Sequence, residues 1–196
     1  MVGKKRLVAI IAAAVIGSLL IGCGSSAGTS STINGNSNGD VRNIGVVQLV
    51  QHDALDSANK GFVDGLKEKG YEDGKNLNID QQNAQGEQAN AQTITKQFAD
   101  SNKDLIFAIA TPAAQAAYNS TKDIPIVFTA VTDPVAAEIA KDWNSSGTNV
   151  TGTSDKVPVE DQIKLLKQLL PDTKTVGVIY NTSETNSVIQ VNELKA

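Results

Sequence analysis

The chain has 196 residues, 40% apolar and 19% charged, enough apolar side chain for a real core, which excludes disordered and collagen-like classes. Its formal charge is −4; with Lys4, Lys5 and Arg6 set aside, 14 of the 17 basic residues remain against 21 acids, leaving −7. A dispersed acidic surface of this kind is unsuited to duplex nucleic acid, which needs clustered Lys and Arg to displace counterions.

In chain order, "MVGKKR" is a positive leader and Leu7 to Ile21 is an apolar run broken only by Gly17 and Ser18. It is shorter than the ~20 residues of a spanning helix and has the length of a signal-peptide core. "LIGC" then resembles the lipobox of bacterial lipoproteins. That resemblance implies cleavage after a signal peptide of residues 1–22, diacylglycerol on the sulfur of Cys23, and attachment to the extracytoplasmic face of the membrane through lipid alone. Cys23 is the sole cysteine, so no disulfide can form within the chain. Residues 23–40, rich in Gly, Ser, Asn and Thr, read as a flexible linker.

From Val41 the periodicity alternates. "IGVVQLV" (44–50) predicts a strand, followed by a helix capped by Asp56, with Ala58, Phe62 and Leu66 on one face and Gly70 as its stop. "NLNID" (76–80) is a more polar second strand, and Ala91, Ile94 and Phe98 mark a second amphipathic helix. "DLIFAIA" (104–110) and "IPIVFTAV" (124–131) are continuous apolar runs, as expected of parallel strands covered on both faces, with a helix between them. "NVTGT" (149–153) can supply a fifth strand. The expected fold is α/β, an open doubly wound parallel sheet over residues 41–155.

The pattern then restarts. Val159, Ile163, Leu166 and Leu170 form one stripe of a helix over 158–171, "TVGVIY" (175–180) reads as a buried strand, and a last helix runs over roughly 186–195. Residues 156–196 hold too few strands for a core of their own. We therefore expect a partial second lobe, the chain being the front part of a longer two-lobed protein; the alternative is one domain with an extension packed onto it.

Ligands of open α/β sheets sit at the carboxyl ends of the strands. There the sequence offers "QHDALD", "TPAAQ", "TDP", "SDKVP" and "NTSETNS", all polar or small. Thr111 and Pro112 suit the cap and first position of a helix, which would leave the N–H groups of Ala113 and Ala114 free to receive a carboxylate or phosphate. The alternative is plain capping without a ligand. Asp133, before Pro134, brings negative charge to the next helix and suits a cation rather than an anion.

As an ordered set, "HDALD", "AIATPAAQA", "IPIVFTAVTDPVAA", "NVTGTSD" and "VGVIYNTSETNS" resemble the motifs of ABC-transporter substrate-binding lipoproteins, in the group that takes up aromatic amino acids. The resemblance covers 41–191. It implies a periplasmic-binding-protein-like, two-lobed clamp that closes on a small amino acid and delivers it to a permease and an ATPase. It places the ligand's α-carboxylate at Thr111 and the backbone of Ala113, with Thr132 as a neighbouring hydroxyl. Asp155, after Ser154, is the first candidate for the α-ammonium, with Asp133 and Glu184 behind it. Glu184, Asn186 and Ser187 would close from the second lobe, and His52 and Leu55 would flank the side-chain pocket. The resemblance implies no cofactor and no catalysis.

Neither GxGxxG nor GxxxxGK[ST] occurs, and one His with one Cys cannot assemble a usual zinc or haem site. A hydrolase using Ser154, Asp155 and His52 is the alternative of another class, but Ser154 stands on no Gly-flanked turn of the GxSxG kind. A sugar or nucleoside is the nearest competing ligand, disfavoured by the scarcity of ring-stacking aromatics among these loops.

Overall fold

The protein's computed structural model describes residues 41–196, so the signal peptide, Cys23 and the linker lie outside the described residues. Five parallel strands form one sheet in the order β2-β1-β3-β4-β5: β1 Arg42–Gln48, β2 Leu77–Asn83, β3 Leu105–Ile109, β4 Ile126–Thr129 and β5 Val150–Gly152. Between them run helices α1 Asp53–Glu68, α2 Gln88–Asp100 and α3 Thr111–Ser120, and beyond them α4 Val159–Leu169 and α5 Thr185–Lys195.

Alternation of side chains along β1 and β3 divides the core. Ile44, Val46, Phe107 and Ile109 face α1, whose Phe62 stacks on Phe107 with ring centroids 3.9 Å apart. Val47, Ile106 and Ala108 face α2 and α3. On that side Gly45 is required by close approach: a Cβ there would stand 2.5 Å from Cδ2 of the buried Phe98. The alanines of α3 have the same origin. Ala113, Ala114, Ala116 and Ala117 are buried in the core, and their small size lets α3 lie close to the sheet and to α2.

Several expected elements are displaced. β1 begins two residues earlier than the apolar run, and β2 continues three residues past Asp80 as a polar edge. The cap of α1 is His52 rather than Asp56, its Nδ1 accepting from the Ala54 N–H at 3.2 Å. Between β4 and β5 there is no helix: the Asp133 carboxylate takes the N–H groups of Val135 and Ala136, and the Pro134 carbonyl takes those of both Ile139 and Ala140, which closes successive turns. The expected strand over 175–180 is not formed. Val176, Val178, Ile179 and Tyr180 are exposed, and no strand among the described residues lies beside them to satisfy their backbone.

Candidate ligand site

The strand order fixes where connections part. The chain leaves β1 for α1 on one face and leaves the adjacent β3 for α3 on the other, so the switch point, where open α/β sheets place their ligand crevice, lies between the carboxyl ends of β1 and β3. A last backbone bond, from the Leu49 N–H to the Ile109 carbonyl at 3.2 Å, marks its floor.

On the β1 side the wall is held by Gln48, a buried polar residue that donates from Nε2 to the Val50 carbonyl at 2.9 Å and to Asp56 Oδ1 at 2.6 Å. The loop carrying His52 is thereby pinned to the first turn of α1. Leu55 does not turn into the crevice but packs on the core cluster beneath α1.

On the β3 side, Ala110 has φ +85° and ψ 155°, a region normally left to glycine, and it is the N-cap of α3. Thr111 is therefore the first helical residue rather than the cap. Its Oγ1 is buried and has no hydrogen-bond partner, while its side chain cannot cap the helix. The Ala114 N–H is occupied by the Ala110 carbonyl at 3.0 Å, whereas that of Ala113 meets no acceptor among the described residues. What converges at this helix start is thus one sealed hydroxyl and the Ala113 amide, with no acidic residue in the first turn. Ala130, after β4, repeats the left-handed strain at φ +55°.

Further along the carboxyl edge, Thr132 Oγ1 donates to Asp155 Oδ1 at 3.1 Å, and the Ser154 hydroxyl donates to the Thr132 carbonyl at 2.8 Å. Thr132, expected beside the ligand's α-carboxylate, and Asp155, expected at its α-ammonium, are in direct contact. Asp133 spends one oxygen on the turn beyond it, and its other lies 3.8 Å from Lys156 Nζ. Lys156 pairs more closely with Glu193, at 2.8 Å, and that bond raises the Lys156 pKa above its ordinary value. Ser154 and His52 share no hydrogen bond, each being engaged locally, so a Ser-His arrangement is not assembled.

From the last part of the chain, Glu184 is the N-cap of α5, accepts from Asn181 Nδ2 at 3.0 Å, and shares with Pro112 the lining of a cavity of about 280 Å³. Asn186 Oδ1 is buried without a partner. Ser187 lies elsewhere, in a cavity of about 390 Å³ between α4, α5 and the 176–180 stretch. The sequence reading missed two residues. Gln48 could have been found as the one polar side chain inside the run "IGVVQLV". Glu87, which lines the smaller cavity together with Glu184, follows the edge strand β2, whose loop carries no signal of its own in the sequence.

A profile of the family described as ABC transporter substrate binding protein matches residues 43–196. A tyrosine-binding protein of Clostridioides difficile is 50% identical over 198 residues, covering 99% of this chain and 57% of that protein. Among solved structures, a conserved domain protein from Vibrio cholerae is 50% identical with a TM-score of 0.78, over 80% of this chain and 53% of its own. A domain from Streptococcus pneumonia in complex with L-Trp is 45% identical with a TM-score of 0.75, over 79% and 52%. The chain spans little more than half the length of these relatives.

Proposed function

The chain belongs to the ABC transporter substrate-binding protein family, and from that premise we propose that it is the extracytoplasmic solute-binding component of an importer, taking a small aromatic amino acid. The observation that carries this reading is the start of α3, where a hydroxyl without a partner and a free amide stand at the positive end of a helix dipole. A carboxylate there accepts from Thr111 Oγ1 and from the Ala113 N–H and meets no competing acid in the first turn. The α-ammonium goes to Asp155, whose Oδ1 is held by Thr132 while Oδ2 remains open. His52 and the loop pinned by Gln48 border the side chain of the ligand, and residues from Glu184 onward close over it by a hinge. Relatives described as tyrosine-binding and as a complex with L-Trp support an aromatic amino acid.

In this reading the protein performs no chemistry and hands its ligand to a permease and its ATPase. Diacylglycerol on Cys23 tethers it to the membrane; release of a Cys23→Ala form into the medium is the readout for that anchor. The binding test is an amide-resolved NMR titration with L-tryptophan, L-tryptophanamide and 3-indolepropionate. L-Tryptophan is expected to shift the Thr111 and Ala113 resonances. The carboxylate without the ammonium should do so more weakly, and the carboxamide hardly at all. Equal shifts from the free acid and the carboxamide would overturn the assignment.

A further inference from the structure

We propose that Lys156 is a latch that holds α5 across the carboxyl ends of β4 and β5 and so regulates the site assigned above; the regulation rests on that assignment, the latch itself does not.

Helix α5 has little else to keep it in place. Val191 is its one fully buried residue, Thr185 to Ile189 and Leu194 being half-buried, so its apolar hold is partial. Its neutral hydrogen bonds to the sheet domain are long: Gln115 Nε2 donates to Thr185 Oγ1 and Gln190 Nε2 donates to Thr132 Oγ1, both at 3.4 Å, near the limit for a hydrogen bond. The short contact is Lys156 Nζ to Glu193 Oε1 at 2.8 Å. Every other ion pair among the described residues lies within one helix or turn, or within the residues before 105. Among the ion pairs of the described residues, only those of Lys156 join the loops of the sheet to α5.

The latch is anchored at its base. The Lys156 N–H donates to Ser154 Oγ at 3.0 Å, and Ser154 in turn donates to the Thr132 carbonyl, so the lysine backbone is fixed to the loop after β4. Its ammonium then lies between Asp133 on that loop and Glu193 on α5. Glu193 sits in the last turn of its helix, where the dipole disfavours a carboxylate, so pairing with Lys156 removes a local penalty as well as adding an attraction.

The consequence reaches the site through Thr132. When α5 is docked, Gln190 donates to Thr132 Oγ1, which commits the single hydroxyl proton of Thr132 to Asp155. Docking therefore fixes Asp155 in the orientation in which its second oxygen faces a ligand. Releasing α5 lets Thr132 and Asp155 reorient, and apparent affinity falls with the population of the docked form.

Hydrogen exchange of the α5 amides tests the latch without any ligand, in the wild type, Lys156→Met, Glu193→Gln and the double variant. Each single substitution should speed exchange of Val188 to Leu194 about threefold, the scale of a partly exposed pair, and the double variant should add little to the larger single effect. Raising NaCl should speed exchange in the wild type but not in the double variant. Trp143, the one tryptophan, lines the same hollow as Lys156 and Glu193, and acrylamide should quench it more readily in both singles. Lys96→Met, which breaks a pair within α2, should change none of these. Unchanged α5 exchange in the singles, or additive effects in the double, would overturn the latch. If the exchange pattern is as expected while L-tryptophan leaves every amide unmoved, the ligand assignment fails and the latch stands.

Discussion

Two consecutive residues at the end of β3 each weaken the fold. Ala110 occupies backbone space that costs a non-glycine residue about 1–3 kcal/mol, and Thr111 seals a hydroxyl away from water with no partner, a cost of about 1–3 kcal/mol more. Features that reduce stability at a strand end next to a crevice are expected where a ligand supplies the missing contact. Thr111→Val keeps the shape and deletes the hydroxyl. Its melting temperature should equal or exceed that of the wild type, while L-tryptophan binding weakens about tenfold, the loss of one hydrogen bond to a charged group. A clear drop in melting temperature would mean that the hydroxyl is already satisfied. Thr111 and Pro112 were legible in the sequence because their residue types favour helix starts. Their exact roles were not, since the shift of the cap to Ala110 depends on a positive φ that no alanine announces. Asn186 was likewise named in advance, yet its orphaned carbonyl oxygen became visible only once α5 was packed.

At the scale of elements, the buried strands were legible because a strand covered on both faces is apolar throughout, as in 104–110 and 124–131. The stretch 175–180 has the same composition and forms no strand. A ladder is a property of two segments, and composition describes only one of them. The turn after β4 was misread for a related reason: Asp133 before Pro134 is a good helix start, but its carboxylate closes a tight turn instead. Where strands do pair, their ends are secured locally. Asp104 accepts from the Asn43 N–H at 2.7 Å and from Arg42 Nη1 at 3.2 Å, tying the start of β3 to β1. The Asn43 backbone bond first, and the Arg42 pair after it, hold the Asp104 carboxyl below its ordinary range. A lowered folded value means that this contribution is complete above about pH 4 and is lost as pH falls through the folded value. In Asp104→Asn the acid limb of a stability-against-pH profile should therefore be shallower than in the wild type. An unchanged limb would show that the pair adds nothing.

For the molecule as a whole, the order β2-β1-β3-β4-β5 puts the first strand inside the sheet, and that placement sets the switch point between the carboxyl ends of β1 and β3, which His52 and Thr111 follow. The order itself was not written in any single motif. It follows from which apolar faces the helices cover, α1 on one side and α2 with α3 on the other. Family membership and the parallel sheet were both legible, the first from loop motifs taken as a set and the second from strand and helix alternation. The stretch between α4 and α5, residues 170–184, contains no helix or strand, and Ile179 is fully exposed on it. An extended, uncovered backbone is the shape that a protease cleft accepts. Brief digestion with chymotrypsin should nick the described residues first after Tyr180, leaving a resistant fragment that still carries the sheet and α4, so this connection also marks where the molecule comes apart under attack.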